Sequence, residues 1–565
     1  MRRIFLFCLV IVLLVGFSSI GYSQEKKAPL AKWPTSKYFE KYTPPITVTA
    51  VRRLWVGVTE ADMKNNLWNK YYREKLGINL EYKWAVIGEQ YDQKINLMLA
   101  SGELPDMMAV NLRQLYQLAE AGLIQDLKPA WDTYASPDTK LSATADGTAP
   151  FDMVTIDGKL YGIPSITPVT ETGHVLFVRE DWRKKLGLPE PKTMNDLLKI
   201  IEAFTKNDPD GDGKNDTFGL IISRDLYTNG FDITSFCNGY HAYPNAWIKK
   251  GTEIVYGSIQ PEMKKALTQL QKLYKDGVLD REFVVKDENK ASESVIKEQA
   301  GVFFGVQWAH WIGGAGVDLW LKNPQSKWKV YPIPSIDNRP AKPIVYNRTN
   351  EFFVVRKGFE HPEALIKMLN LINLMGHGPQ PLSYDEWEKL WNDWGYAFIR
   401  PETIHNNIKR WMNTFKAIET NDPKVIQTIY KNYLNASQYE GAKKFFEFGG
   451  PDGDKWRLDP NVKQADREWA KTWWGFTLSG RVFQILESQK KKGLLMYDQI
   501  GAFVSPTMIE KLATLEKLET ETFTRIITGD APIEEFDKFV EQWNKLGGDQ
   551  ITKELNEWHK KTFKK

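Results

Sequence analysis

The sequence contains few cysteines and few histidines, and these shortages exclude several kinds of chemistry. Only two cysteines occur among 565 residues, Cys8 and Cys237, so no disulfide framework supports the fold. Seven histidines occur, and none stands in a short metal-binding pair such as HExxH, which disfavours a zinc enzyme. The glycine signatures of serine hydrolases, dinucleotide-binding proteins and phosphate-binding loops are missing too.

Long hydrophobic runs and an excess of basic charge are also absent. No segment after the first residues approaches the roughly 18 apolar residues of a membrane-spanning helix, so we expect no membrane insertion of the mature chain. The 75 lysines and arginines nearly balance the 71 aspartates and glutamates, and the densest basic run is Lys490–Lys492. We therefore expect no nucleic-acid partner.

Residues 1–23 predict a signal peptide. They combine a basic start, a short apolar run and small residues near a cleavage site, at Arg2 and Arg3, Ile4–Val15, and Gly21 and Ser23. We therefore expect an exported protein, either periplasmic or extracellular. Cys8 lies inside the apolar run and not directly after it, so we expect no lipid anchor.

Aromatic residues are unusually frequent in this chain. They make up 13% of it and include 21 tryptophans. Most must fill the hydrophobic core, but an aromatic face also stacks on the apolar face of a sugar ring. The composition therefore indicates carbohydrate as one class of ligand.

The stretch KNDPDGDGKNDTFGL, residues 206–220, concentrates four carboxylates in nine positions, at Asp208, Asp210, Asp212 and Asp216. Such carboxylates repel one another unless the loop is fully solvated or holds a cation, and calcium loops use this alternation with mid-loop glycines. Position twelve from the first aspartate is Gly219, where an EF-hand carries glutamate. The pattern predicts a helix, a loop and a strand, with a metal-free solvated turn as the alternative.

Strand-like and helix-like segments alternate along most of the chain. ITVTAVRRLWVGV from Ile46 and INLEYKWAV from Ile78 are typical of strands, and a helical stretch separates them. Thr193 and Asp196 predict a capped helix that ends at the acidic loop. The alternation indicates an α/β fold with parallel or mixed sheets, and the length requires two or more lobes.

Six segments form a recognisable series along the chain. In chain order they are LMLASGELPDMMAVN (97–111), LYGIP (160–164), FVREDWRKKLGLPEPKT (177–193), the acidic loop, HPEALIKMLN (361–370) and EFDKFVEQWNKLGGDQITKELNEW (535–558). Together these segments resemble the family 1 extracellular solute-binding proteins of carbohydrate ABC importers, in particular the branch of large oligosaccharide binders that includes the alginate-oligosaccharide binders.

The resemblance implies a two-lobed periplasmic-binding-protein fold of the type II-like class, in which each lobe is a mixed sheet flanked by helices and a hinge links the lobes. It implies a monomer that captures an oligosaccharide between the lobes, performs no chemistry on it and delivers it to an ABC transporter permease. We place the first lobe at 46–166 plus 346–500, with a helical insertion at about 376–500. The second lobe, which carries the acidic loop, takes 167–345 plus 501–565.

The resemblance also implies a structural calcium ion in the acidic loop. The positions that match the family's calcium ligands are five. They supply the carboxylates of Asp208, Asp210, Asp212 and Asp216 and the backbone carbonyl of Lys214. Related loops often place a glutamate directly after the last aspartate, but this chain has Thr217 there.

For the sugar site, the turn from Trp308 to Trp311 follows a strand-like segment at the place where related binders present a stacking tryptophan. Asn111 and Arg113 follow the strand-like segment MMAV, and ligands of open α/β sheets bind beyond the carboxyl ends of strands. Glu171 precedes the next strand near the expected lobe crossing, and Asn350 begins the segment NEFFVV. We expect these six residues to contact the ligand.

Two other functions stay open from the residues alone. A secreted glycoside hydrolase or lyase could use an acidic pair, because such pairs meet in space and have no fixed spacing in sequence. A sugar-sensing or adhesion module on the same fold would present its bound sugar to a receptor instead of a permease.

Overall fold

The structure, a computed structural model, describes residues 31–562 except 55–57, 324, 347–348, 350, 379–380, 401–406 and 451–460. The chain forms two compact units. Unit 1 comprises residues 1–167, 348–407 and 420–438, and unit 2 comprises residues 168–347, 408–419 and 439–565. The predicted signal peptide and Asn350 lie outside the described residues.

The described strands and helices follow one another as the alternating pattern predicts. The strands are β1 (Ile46–Leu54), β2 (Ile78–Ile87), β3 (Met107–Val110), β4 (Thr155–Ile156), β5 (Lys159–Leu160), β6 (Ile163–Pro164), β7 (Val175–Arg179), β8 (Phe218–Leu220), β9 (Trp247–Lys250), β10 (Glu253–Tyr256), β11 (Ala300–Gly305), β12 (Trp328–Tyr331), β13 (Ile344–Val345), β14 (Phe352–Val355) and β15 (Met496–Tyr497). The α-helices are α1 (Glu60–Lys64), α2 (Leu67–Tyr71), α3 (Gly88–Ser101), α4 (Leu112–Glu120), α5 (Lys128–Tyr134), α6 (Pro137–Thr144), α7 (Ala149–Asp152), α8 (Glu180–Lys185), α9 (Met194–Lys206), α10 (Thr234–Gly239), α11 (Pro261–Lys275), α12 (Glu288–Ile296), α13 (Ala315–Lys322), α14 (Glu363–His377), α15 (Tyr384–Asn392), α16 (Asn407–Thr420), α17 (Pro423–Ile429), α18 (Tyr433–Glu447), α19 (Gln464–Lys491), α20 (Pro506–Thr528), α21 (Glu535–Trp543) and α22 (Asp549–Thr562).

Unit 1 is built on a five-stranded mixed sheet with the order β2-β1-β3-β14-β6. The strands β1, β2 and β3 run parallel, and β14 runs antiparallel to both of its neighbours. The strand β3, MMAV, is buried at every position, as expected for a central strand that is covered on both faces. Its carboxyl end leads directly into α4, which Asn111 caps and in whose first turn Arg113 lies.

Unit 2 is built on a four-stranded mixed sheet with the order β12-β7-β11-β8. The central strands β7 and β11 are antiparallel and fully buried, while β8 runs parallel to β11. A large hydrophobic cluster packs against one face of this sheet and includes Trp182, Phe204 and Trp543, which the helical spacing predicts as core. The prediction of an α/β fold with one mixed sheet in each lobe is confirmed.

The division of the chain differs from the predicted one in the helical segment. Residues 439–500, which we assigned to the first lobe, belong to unit 2, as do residues 408–419. The reason is the 28-residue helix α19, which packs against α13 and β12 of unit 2. Glycines make this close packing possible, since a Cβ atom on Gly475 would lie 2.3 Å from the indole of Trp311. The chain passes from unit 1 to unit 2 after residue 167 and returns after residue 347. The sequence predicts these two boundaries after residues 166 and 345.

No helix among the described residues is both long enough and apolar enough to cross a membrane.

Candidate functional site

The acidic loop lies in unit 2 between α9 and β8. The helix begins with a capping box, in which the hydroxyl of Thr193 accepts from the backbone of Asp196 and the carboxylate of Asp196 accepts from the backbone of Thr193. The helix ends at Lys206 with Asn207 as its C-cap, and Asp208 then adopts a left-handed conformation with φ of 44°. The capped helix and the strand β8 therefore fix both ends of the loop, as the sequence predicts.

The loop brings three of the four predicted carboxylates together. One oxygen from each of Asp208, Asp210 and Asp212 lies within 4.8 Å of the other two. The Asp208 carboxylate accepts from the backbone N–H groups of Gly211 (2.9 Å) and Gly213 (3.1 Å), both at positive φ, so the chain wraps around this side chain. Asp216 is exposed and lies outside the group of three.

The electrostatics of this group favour a bound cation. The neighbouring Asp210, which can donate a hydrogen bond only while it is protonated, lowers the pKa of Asp208, and backbone N–H groups lower it further. Burial, the hydrogen bond to Asp208 and the charge of Asp212 raise the pKa of Asp210. Oδ1 of Asp210 is also buried without a hydrogen-bond partner among the described residues. Because an oxygen-preferring divalent ion would satisfy this atom and relieve the repulsion, the donor set fits calcium.

The end of the loop explains why it departs from an EF-hand. The buried hydroxyl of Thr217 donates to the carbonyl of Phe204 (2.8 Å), so it closes the end of α9 and does not face the acidic group. A Cβ atom on Gly219 would lie 2.0 Å from the carbonyl oxygen of Ile201, so the position has no room for the side chain of a glutamate ligand. The backbone N–H of Lys214 donates to Asp212 (2.8 Å), and its ammonium group pairs with the same carboxylate.

The Trp308–Trp311 turn leaves the end of β11 and forms a short 3-10 helix, Ala309–Gly314. The Trp311 ring lies 5.4 Å from the ring of Phe476, and both side chains are partly or largely exposed. Between the two tryptophans, His310 is buried and bonds to the carbonyl of Gly475 (2.8 Å). Burial lowers the pKa of His310 to about 4, so this imidazole is neutral at pH 7 and pins the turn to α19.

Trp311 is one end of an aromatic row that sequence reasoning missed. The row continues along α19 through Phe476, Trp473 and Trp469 to Phe448, with neighbouring rings 5.4–6.5 Å apart. Phe476 is 43% exposed and Phe448 is 52% exposed, whereas the two tryptophans between them are mostly covered. The spacing i, i+4, i+7 of positions 469, 473 and 476 is the signal that could have revealed this helical face.

The polar residues predicted for the sugar site lie in different environments. Asn111 is exposed at the start of α4, and its side chain accepts from the backbone of Gln114 (2.9 Å). Arg113 is exposed in the first turn of the same helix in unit 1. Glu171, in unit 2, is only 1% exposed and faces Arg410, whose pKa burial lowers and the Glu171 charge raises. Their contact with a ligand stays a prediction.

The chain is similar in sequence to known binding proteins. The profile of the family described as bacterial extracellular solute-binding protein matches residues 57–373. The polygalacturonan/rhamnogalacturonan-binding protein YtcQ of Bacillus subtilis is 24% identical over 86% of this chain and 86% of its own length. The fructooligosaccharide ABC transporter substrate-binding protein FusA of Streptococcus pneumoniae is 25% identical over 68% of this chain and 70% of its own length.

Solved structures share the fold. The FusA structure in complex with kestose has a TM-score of 0.61 at 16% identity and covers 92% of this chain and 99% of its own. The structure of the alginate-binding protein AlgQ2 without calcium ion has a TM-score of 0.56 at 15% identity, over 94% of this chain and 99% of its own.

Proposed function

The chain belongs to the bacterial extracellular solute-binding protein family, and from that premise we propose that it captures an oligosaccharide and delivers it to an ABC importer. Family membership makes it an exported binding protein and not an enzyme. The carbohydrate assignment is supported by relatives that bind galacturonans and fructooligosaccharides. The observation that carries it is the aromatic row ending in the accessible rings of Trp311 and Phe476, because such rings stack on sugars.

Neither alternative function has comparable support. YtcQ and FusA are named as binding proteins, and the family is one of binding proteins, so a hydrolase or lyase is not favoured. A sensing or adhesion module would share the fold, but the name of FusA assigns that relative to an ABC transporter. The absence of a lipid anchor and the monomeric state stay predictions.

Replacing Trp311 with alanine is expected to weaken oligosaccharide binding about tenfold, because one stacking surface is lost. Isothermal titration calorimetry against neutral and acidic oligosaccharides measures the affinity. Trp311→Phe keeps an aromatic face and should bind nearly as well as the wild type. The matched control is Trp558→Ala, which removes a partly buried tryptophan that packs against the core through Phe503. Unchanged affinity in Trp311→Ala would contradict the proposal.

We also propose that the acidic loop binds a structural calcium ion through Asp208, Asp210 and Asp212. The carbonyl of Lys214 and the carboxylate of Asp216 would complete the ligand set. The support is the convergence of the three carboxylates, the unpartnered oxygen of Asp210, and a fold relative whose structure is described as lacking calcium. The ion would join the end of α9 to the start of β8 and would act on stability, not on chemistry.

Removing calcium with EGTA is expected to lower the melting temperature by about 5 °C, and excess calcium should restore it, because the ion binds only the folded loop. Differential scanning fluorimetry measures this shift. Asp210→Ala should abolish the response, whereas Asp225→Ala, at an exposed aspartate outside the loop, should respond like the wild type. A melting temperature that EGTA does not change would refute calcium in this loop.

A further inference from the structure

A carboxylate of unit 1 lies at the edge of the five-stranded sheet where its parallel strands end. Glu351 comes directly before β14, the strand that runs antiparallel to β3. Because Val110, the last residue of β3, pairs with Phe352, Glu351 lies at the carboxyl end of β3. Ligands of open α/β sheets bind at such ends. The position of Glu351 therefore makes this residue a candidate for ligand contact.

The backbone around Glu351 is fixed on both sides. Its carbonyl accepts a hydrogen bond from the backbone N–H of Ser165 (2.9 Å). The next residue, Phe352, pairs with Val110 on one side and with Pro164 on the other. A side chain on a backbone that is already ordered loses less conformational freedom when it contacts a ligand.

The carboxylate of Glu351 is free to accept hydrogen bonds from a ligand. The side chain is 33% exposed, and no described residue donates a hydrogen bond to either carboxylate oxygen. Nη1 of Arg52 lies 4.0 Å from Oε1, which is too long for a hydrogen bond. A ligand can therefore reach an ionised group whose capacity to accept hydrogen bonds is unused.

The guanidinium group of Arg52 orients this carboxylate. Arg52 is 4% exposed, and its Cζ lies 5.6 Å from the centre of the Phe353 ring. Phe353 and Glu351 are two positions apart in an extended segment, so they share this face of the sheet. Arg52 donates no hydrogen bond to a described residue, and its Nε and Nη1 atoms are buried. A cation so far removed from water attracts the neighbouring carboxylate of Glu351 strongly and holds it over this face.

Asn111 lies opposite Glu351 at the same edge. It is one residue beyond Val110, and Glu351 is one residue before Phe352, so the antiparallel register places the two residues side by side. Oδ1 of Asn111 accepts from the backbone N–H of Gln114 (2.9 Å), so its Nδ2 group points away from this contact and can donate to a ligand. A donor beside an acceptor matches a sugar hydroxyl group, which accepts one hydrogen bond and donates another.

We propose that Glu351 and Asn111 bind a hydroxyl group of the oligosaccharide, and that Arg52 is a positioning residue that acts through Glu351. This inference rests on the proposed function, because it names polar contacts of the same ligand. A carboxylate accepts from a hydroxyl group but repels another carboxylate, so this pair selects a neutral sugar residue over a uronic acid.

The test is calorimetry at pH 7 with four neutral trisaccharides, namely kestose, maltotriose, cellotriose and raffinose. Glu351→Gln should weaken binding about tenfold, because the charge-assisted acceptor is lost. Asn111→Asp keeps the acceptor for Gln114 but cannot donate, and it should weaken binding by about the same factor. The matched control is Glu81→Gln, at an exposed glutamate of β2 that pairs with Thr49 in the first half of the strand, and it should bind like the wild type.

A double-mutant cycle tests the positioning role of Arg52. Arg52→Met should weaken binding about fivefold in the wild-type background, but by no more than about twofold when Glu351→Gln is already present. A purely structural role would lower the affinity by the same factor in both backgrounds. Arg52→Lys keeps the charge and should retain most of the affinity.

The inference is overturned if Glu351→Gln binds every trisaccharide as tightly as the wild type does. Trp311→Ala is measured against the same sugars, so that the proposed function is judged separately. Weaker binding in Glu351→Gln with unchanged binding in Trp311→Ala would support the contact in unit 1 and contradict the role of Trp311. If the wild type binds none of the four trisaccharides, the selection of neutral sugars is overturned.

Discussion

Replacing Arg179 with methionine is expected to lower the free energy of unfolding by about 4 kcal/mol, because it leaves two carboxylates without their shared cation. Arg179 is fully buried at the end of β7. Its guanidinium donates two hydrogen bonds to Asp181 (3.0 and 2.7 Å) and one to Glu298 (3.1 Å), and it stacks on the ring of Trp182. Methionine would fill most of the space but would provide none of these donors.

The position of Arg179 links the expected loss of stability to the Trp308–Trp311 turn. Glu298 stands just before β11, the strand whose end begins the Trp308–Trp311 turn. Strands β7 and β11 are hydrogen-bonded neighbours, so one buried cation ties together the chain segments that position this turn.

Urea unfolding, followed by circular dichroism at pH 7, measures the effect. Urea is preferable to guanidinium chloride because it does not screen the ion pairs. The matched control is Arg224→Met, where an exposed arginine lies 3.8 Å from Asp225 and the expected loss is only about 0.5 kcal/mol. Equal losses in the two variants would contradict the assigned role of Arg179.

Local signals made much of unit 2 predictable from the sequence. Thr193 and Asp196 are three positions apart and form the expected capping box. The residue at which α9 begins could therefore be predicted from the sequence. The acidic loop could be placed as well, because alternating aspartates and glycines allow few other conformations. Both features depend on contacts between residues close together in the chain.

Features that depend on distant contacts could not be predicted in the same way. The glycines of α19 are unfavourable within a helix and so indicate a close neighbour, but the sequence does not say that Trp311 packs on Gly475 or that Phe415 packs on Gly480. Assignment of α19 to unit 2 follows from these contacts. Glu171 is a similar case, because Arg410, the charge that it faces, is far along the chain.

The stability of the protein is expected to fall by about 3 kcal/mol as the pH rises from about 4.5 to about 7, through the carboxyl group of Glu519 alone. This side chain in α20 is fully buried and accepts hydrogen bonds from the hydroxyl groups of Ser258 (2.7 Å) and Tyr256 (2.8 Å). Burial raises the pKa of Glu519 from 4.5 to about 7, although these hydroxyls and that of Tyr227 oppose the shift.

The sign follows from which state holds the proton. Below about pH 4.5 the folded and unfolded chains both carry it, and the carboxyl group causes no change in stability with pH. Between the two pKa values the unfolded chain has lost the proton while the folded chain keeps it, so rising pH favours unfolding. Above about pH 7 both states are ionised, and the contribution becomes constant at its least favourable value.

Glu519→Gln isolates this contribution, because glutamine has nearly the same shape and does not titrate. Urea unfolding of both proteins at a series of pH values gives two stability curves, in which all other titrating groups act equally and cancel in the difference. The variant should become more stable relative to the wild type as the pH rises from about 4.5 to about 7, and the difference should then stay constant. Parallel curves across this interval would mean that Glu519 ionises at its ordinary pKa and that the hydroxyl groups of Tyr256 and Ser258 fully compensate its burial.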